Sequence, residues 1–335
     1  MKKNDDKPID FVIIWVDGND PEWRAVKRQY TPQVGEDDGE VRYRDWDNLQ
    51  YWFRAVEKYT PWVNKIHFVT WGHLPEWLDT TNPKLHIVNH KDYMPEEYLP
   101  TFNSHTIELN LFRIEGLAEQ FVYFNDDMFI NRPMSKEDFF VNGLPCDTFA
   151  MNCIYFGKDS AGPYNGNDMM VINSHFDKKQ AMKKNLKNWL RLRYGVRLLY
   201  RTLVLLPWPW FPGFYYHHLP NSFTKTTCRE VWDAEPEVMH NTCMCKIRSV
   251  TNVNQWVFKF WQFASGNFYP RTYKIGRCFH IKDNNVYGLI DAIEEGTYGM
   301  ICINDTDKTV DFEGKKKLVQ EAFQRRLPEK SSFEK

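Results

Sequence analysis

The residues of this chain best suited to chemistry fall into acidic clusters that follow apolar runs, and into one histidine loop. Asn125-Asp126-Asp127 follows the compact aromatic run Phe121–Phe124. Adjacent carboxylates repel each other unless a proton or cation lies between them. A hard divalent ion accepts carboxylate oxygens, and a nucleoside diphosphate brings further ones. Mg²⁺ (or Mn²⁺) at Asp126, Asp127 and Asp17 is therefore the expected cofactor. Asp17-Gly18-Asn19-Asp20 repeats the design, ending the β-branched run 10–16 ahead of Pro21, a residue that suits the first turn of a helix. No Gly-Lys-Ser/Thr follows, which excludes a P-loop. Arg42 and Arg44 stand at the start of a helical pattern running from Leu49 to Tyr59, where they can face phosphates or pair with neighbouring acids. Asp45 or Asp47 can cap that helix. His217-His218 lies in a loop with Pro220 and Asn221, freer to act than a histidine inside an apolar run. For each acidic cluster the plainer reading is a solvated turn after a strand.

The elements that must position these residues read as an α/β chain. Apolar β-branched runs at 10–16, 65–70, 84–89 and 121–124 alternate with helical periodicity, which predicts a mostly parallel, Rossmann-like sheet covered by helices. Ligands of such sheets bind beyond the C-terminal ends of the strands, where the acidic clusters fall. A helix is expected from Thr106 to Ile114. Glu108 lies on it, and a lone helical Glu is ordinarily a surface residue. Residues 147–176 read as loop plus short strands, Gly- and Asn-rich at 162–167. A further strand is expected at 299–303, ending in Asn304-Asp305, with helices near 252–266 and over 315–326.

The chain has 335 residues, with 43 Lys+Arg against 44 Asp+Glu, so it has no global basic field and nucleic acid is not an expected partner. Thirteen Trp and 17 Tyr suit core packing and, secondarily, sugar rings. Seven cysteines without a CxxC pair, no apolar N-terminal segment and no run of 18 apolar residues fit reduced thiols in a cytoplasmic protein.

One segment departs from the rest. Between Lys178 and Thr224 there is no acidic residue. Lys183, Lys187 and Arg191 recur every four residues, beside Met182, Leu186, Trp189 and Leu190, and Trp208-Pro209-Trp210 follows. Residues 178–214 are thus expected to be a basic amphipathic and aromatic insertion, touching an anionic membrane from the cytoplasmic face or lying as a solvated basic helix over the rest.

Taken together, these motifs resemble the Stealth family, which includes bacterial capsular polysaccharide hexose-1-phosphate transferases and the animal N-acetylglucosamine-1-phosphotransferase of lysosomal enzymes. Asp10–Trp23 resembles the first conserved region, and Arg42–Leu49 through Trp62–Thr70 and Leu99–Glu108 to Asp127 the second. His217–Pro220 through Arg248-Ser249 to Asn254 resembles the third, and Cys302–Asp305 with Leu327–Glu334 the fourth. The resemblance implies a single catalytic domain over 1–335, with a GT-A-like sheet core at 1–150 and 215–310. It implies transfer of hexose-1-phosphate from a UDP-sugar to a glycan or polysaccharide hydroxyl, with release of UMP in surface polysaccharide synthesis; N-acetylhexosamine-1-phosphate is the expected group, though the resemblance does not fix the donor sugar. The family's active-site Glu, Asp, His and Arg fall on Glu108, Asp127, His218 and Arg248. Trp15, Asp17, Gly18, Asp20, Arg44, Asp45, Asn103, His105 and Asn125 are the expected substrate contacts. His218 can be the base toward the acceptor hydroxyl or a nucleophile on phosphorus. A metal-dependent Leloir glycosyltransferase would show the same acidic pair but release UDP. A non-catalytic scaffold would not need four polar clusters at strand ends and loops.

Overall fold

The computed structural model describes residues 7–31, 45–157, 160–281, 286–305 and 309–335. In chain order its strands are β1 (Ile9–Ile14), β2 (Ile66–Thr70), β3 (Leu85–Asn89), β4 (Gln120–Phe124), β5 (Met128–Ile130), β6 (Phe140–Val141), β7 (Leu144–Asp147), β8 (Asn221–Thr224), β9 (Tyr269–Pro270), β10 (Gly276–His280) and β11 (Met300–Asn304). The central sheet has the order β3-β2-β1-β4-β8. Its β1–β2, β2–β3 and β1–β4 pairings are parallel, and β8 closes the edge antiparallel to β4. Four of its strands are the expected ones, shifted by a residue or two at their ends. β1, β2 and β4 are buried along almost their whole length, as strands covered on both faces must be.

The helices are α1 (Pro21–Arg28), α2 (Leu49–Tyr59), α3 (Ser104–Asn110), α4 (Gly162–His175), α5 (Lys178–Trp189), α6 (Val196–Leu205), α7 (Lys225–Ala234), α8 (Pro236–Met244), α9 (Trp256–Ser265), α10 (Val286–Glu295) and α11 (Phe312–Arg326). Pro21 starts α1, whose N-cap Asp20 accepts from the Trp23 amide. α2 lacks the expected aspartate cap: its N-cap is Asn48, without a side-chain bond, while Asp45 accepts from the Asp47 amide one turn earlier. The helix expected to reach Ile114 ends at Asn110 and continues as one 3₁₀ turn, Leu111–Arg113.

α4 overturns the loop-and-strand reading of 147–176 over residues 162–175. Gly162, Pro163, Gly166 and three asparagines argue against a helix locally, and tertiary bonds override them. Asn167 donates to the Val250 and Asn252 carbonyls, and buried Asp168 accepts from the Asn254 amide. The expected stripe on α5 also changes. Arg191 lies beyond the end of the helix, and Trp189 is fully buried, stacked on Phe149 with ring centroids 4.9 Å apart. Lys183 and Lys187 remain exposed.

Between β4 and β5 the chain leaves the central sheet for a second one, ordered β10-β11-β5. Only Asn125, Asp126 and Asp127 span that step, with the Met128 amide bonded to the Asn125 carbonyl and the Ile303 amide to the Asp127 carbonyl. Fixed by both sheets, the acidic pair has little backbone freedom. At the far end of the chain, Arg54 on α2 forms a two-bond ion pair with Glu334 and donates to the Leu327 carbonyl, while Phe333 is buried against Phe53. The Leu327–Glu334 stretch is therefore a brace for α2.

Candidate active site at the step between two sheets

His218 enters from the loop before β8, and its Nε2 lies 3.2 Å from Asp127 Oδ2. Their side chains remain 33% and 24% exposed, so the pair is reachable from solvent. Burial alone would lower the imidazole pKa. The Asp127 carboxylate reverses this and raises it to about 9, with smaller help from Cys278 and Glu108. Solvent on the exposed third of the ring moderates that shift. Asp126 reaches solvent too, yet the surrounding protein, then repulsion from Asp127 and Asp45, pushes it up to about 8. The repulsion that raises Asp126 is relieved by a proton or by a bound cation.

Glu108 is 8% exposed, which overturns the expectation of a surface residue on α3. Burial raises its pKa against the opposing pull of Arg248. Tyr123, on the last turn of β4, links it to the acidic step: its hydroxyl lies 3.1 Å from Glu108 Oε1 and contacts Asn125 Oδ1. Arg248 Nη2 donates to Ser104 Oγ at the start of α3, 2.5 Å away. The fold therefore brings Glu108, Asp127, His218 and Arg248 into one electrostatic neighbourhood, although 140 residues separate the first from the last.

The remaining expected substrate contacts divide by their surroundings. Trp15 is half-buried and meets His73 edge to face, with ring centroids 5.3 Å apart. The Asp17 amide donates to His73 Nε2, whose Nδ1 lies 3.4 Å from Asp20. Asp20 is occupied as the α1 cap, and Gly18 gives its carbonyl to Arg24. Asp45 feels both Asp17 and Asp126, so the two acidic strand ends sense each other through it. Asn103 is fully buried, caps α3 and donates to Asn252 and the Cys245 carbonyl, which makes it a positioning residue. His105 packs against Tyr164, with centroids 4.7 Å apart. Arg44 lies outside the described residues.

Among the described residues, Asp127, His218 and Cys302 are the group of three whose ligand atoms, all within 4.8 Å of one another, can meet at one ion. Asp17 and Asp126, expected to share the metal with Asp127, fall outside that group. Cys302 was not anticipated. It sits on β11 directly opposite Cys278, its Sγ 3.3 Å from Asp127 Oδ2, and burial keeps the thiol protonated. A protonated thiol is a poor ligand for a hard ion, so it serves here as a donor to the carboxylate. Asp127 Oδ1 is buried without a hydrogen-bond partner, as a carboxylate oxygen awaiting a cation would be. The carboxylates fit a hard divalent ion, and the sulfur does not.

Models of the Stealth protein conserved regions 1 and 2 match residues 7–35 and 42–146. A capsular polysaccharide phosphotransferase of Streptococcus pneumoniae is 42% identical over 330 residues, 98% of each chain. The chain belongs to the Stealth family. Other relatives are a receptor polysaccharide phosphotransferase of Streptococcus gordonii, 39% identical over 97% of this chain and 98% of that one, and an exopolysaccharide phosphotransferase of Lactiplantibacillus plantarum, 38% identical over 98% and 96%. Glu108 and Asp127 fall inside the second Stealth region, whereas His218 and Arg248 lie beyond both matched segments. Among solved structures, galactosyltransferase LgtC with donor and acceptor sugar analogues aligns at a TM-score of 0.40 and 10% identity, over 96% of this chain and 98% of that one.

Proposed function

We propose that this chain is a polysaccharide phosphotransferase acting at the cytoplasmic face of a bacterial plasma membrane. It would move N-acetylhexosamine-1-phosphate from a UDP-sugar to a glycan hydroxyl. The acceptor oxygen bonds to the sugar-bearing phosphorus, the bond from that phosphorus to the UMP oxygen breaks, and UMP leaves. The observation that carries this reading is the convergence of the His218–Asp127 pair with Glu108 and Arg248 at the step between two sheets, in a chain whose relatives are named phosphotransferases.

Each residue then has a task its chemistry suits. Only the neutral fraction of His218, small at pH 7 because Asp127 raises the ring pKa to about 9, accepts the hydroxyl proton, and Asp127 orients the ring and stabilises the imidazolium that results. Arg248 presents a planar fork to phosphate oxygens, and Ser104 and Glu108 hold that fork in place. Tyr123 ties Glu108 to the acidic step. Asp127, with Asp126 beside it, would hold Mg²⁺ or Mn²⁺, which when bound offsets the charge of a diphosphate. Trp15 and Asp17 after β1, Asn125 after β4, and Asp45 ahead of α2 would contact the substrate. The basic segment 178–214 would bring the enzyme to an anionic membrane.

The test is to incubate the protein with UDP-sugars and a glycan acceptor and to type the nucleotide released. UMP with a phosphodiester product supports the proposal. UDP would instead mean glycosyl transfer at the anomeric carbon. Chelation by excess EDTA should abolish turnover, and full turnover in metal-free reagents would remove the metal from the proposal.

A further inference from the structure

The surface of α6 carries an apolar ridge that nothing in the described chain covers. Leu192, Val196, Tyr200, Leu203, Trp208 and Trp210 are between 52% and 88% exposed. On α6 the positions 196, 200 and 203 follow the i, i+4, i+7 rule and so form one stripe. The opposite face holds buried Leu198 and Thr202 against the core, with the Met151 amide bonded to Thr202 Oγ1. A helix apolar on both faces is a buried helix or one that enters an apolar medium.

The ridge is held in place by built contacts. Lys178, only 3% exposed, extends its ammonium to the carbonyls of Leu205, Leu206 and Trp208, closing the C-terminal end of α6. On the far side of the aromatic turn, Asn173 binds the Phe211 backbone through both its amide nitrogen and its carbonyl oxygen. Trp208 and Trp210 thus project from a turn pinned at both ends. Ordering large apolar side chains in water has no return unless something covers them.

We infer that this ridge is a membrane-insertion surface, and that its occupant is an anionic phospholipid bilayer. Charge decides the occupant. Exposed Arg191, Arg193 and Arg197 flank the ridge in sequence, exposed Lys183 and Lys187 stand on the preceding helix α5, and no acidic residue occurs between Lys178 and Thr224. A second copy docking through the same patch would set these cations against one another. A bilayer with anionic headgroups accepts all of them, while Trp and Tyr occupy the interfacial depth that suits their amphipathic rings. The lysines of α5 are then the electrostatic rim, and α6 with the aromatic turn is the part that enters. The inference deepens the membrane contact proposed above and does not depend on the reaction.

The test uses the full chain and sucrose-loaded vesicles, either pure phosphatidylcholine or phosphatidylcholine mixed with phosphatidylglycerol. The wild type should sediment with the anionic vesicles and little with the neutral ones. The variant Tyr200→Ser/Leu203→Ser/Trp208→Ser/Trp210→Ser should lose roughly tenfold or more of that partitioning at both low and high salt, with an unchanged melting temperature because these side chains are exposed. Arg193→Gln/Arg197→Gln should weaken binding at low salt, roughly fivefold per charge, with less effect at high salt. Nucleotide release with a soluble acceptor should be unchanged in both variants. Equal sedimentation of wild type and ridge variant would overturn the inference. So would a wild-type dimer in analytical ultracentrifugation that the ridge variant abolishes while vesicles do not bind, since the occupant would then be a second copy.

Discussion

Two His–Asp pairs in this molecule have nearly the same length and opposite surroundings. His67–Asp10 joins β2 to β1 at 3.0 Å, and both side chains are 0% exposed. Asp10 also accepts from Asn64, the Lys65 amide and the Ala118 amide, while His67 Nδ1 meets His86. Every strong site there is filled, and despite burial the bonds from His67, Asn64 and Ala118 hold Asp10 below the usual carboxylate range. His218–Asp127, at 3.2 Å, is open to solvent and leaves Asp127 Oδ1 without a partner. A pair that exhausts its hydrogen bonds inside the protein is a clamp. One that keeps an oxygen and a ring face in reserve is equipped to meet a substrate.

Asp127→Asn gives the largest effect expected from that contrast. It should cut kcat by roughly 10²–10⁴-fold while leaving the melting temperature nearly unchanged. More than a tenth of wild-type activity would erase the distinction between the two pairs. Asp10→Ala should do the reverse. Breaking a buried pair costs about 3–5 kcal/mol, visible as a lower urea midpoint, while the folded fraction keeps its activity. Because the folded Asp10 pKa is depressed, its contribution is full above the unfolded value of about 3.9 and is lost as pH falls below it. Wild-type stability should therefore drop steeply on acidification, and the alanine variant should show a shallower acid limb. Identical limbs would remove Asp10 from the account of acid stability.

Arg248→Lys comes next, at roughly 10–100-fold in kcat/KM, since lysine keeps the charge but loses the fork. Arg325→Lys, in an exposed pair with Glu294, should change activity by less than about twofold. Similar losses at the two positions would show that Arg248 does not clamp phosphate. The smallest effect belongs to Cys302→Ala. Removing one weak donor to Asp127 should lower kcat by only a few-fold, about 1 kcal/mol. A complete loss would make Cys302 a ligand or reactant and not a positioning residue.

The acidic step was legible in the sequence because a short aromatic strand followed by three polar residues is a local pattern. So were four strands of the central sheet and the Pro21 start of α1. Glu108 was legible only through the family resemblance, because its burial comes from α3 packing beside β4 and the Arg248 segment. Tyr123 was hidden inside a strand whose continuous apolar run said only that it was buried. Cys302 and Cys278 meet Asp127 and His218 only once the second sheet forms, and no spacing within one segment reports a pairing between β10 and β11. α4 was missed because Gly, Pro and Asn spell a loop locally, and the bonds that override them reach Val250, Asn252 and Asn254. The segment 178–214 stands out in the sequence by its charge pattern, but its exposed apolar stripe lies on α6 and not on α5, since periodicity does not say that Trp189 is already taken by Phe149 and the Phe263 carbonyl.

The brace from Arg54 to Glu334 has a consequence for how the chain is made. Its partners are 280 residues apart, and Phe333 fills space beside Phe53. During vectorial synthesis α2 emerges early, yet the residues that seat its outer face follow some 280 positions later. The apolar side of α2 must wait, shielded by chaperone or by transient contacts, until that distant segment has been made. A nascent chain arrested shortly before Phe333 should therefore remain far more sensitive to protease around α2 than one extended past Glu334 by a linker that spans the exit tunnel.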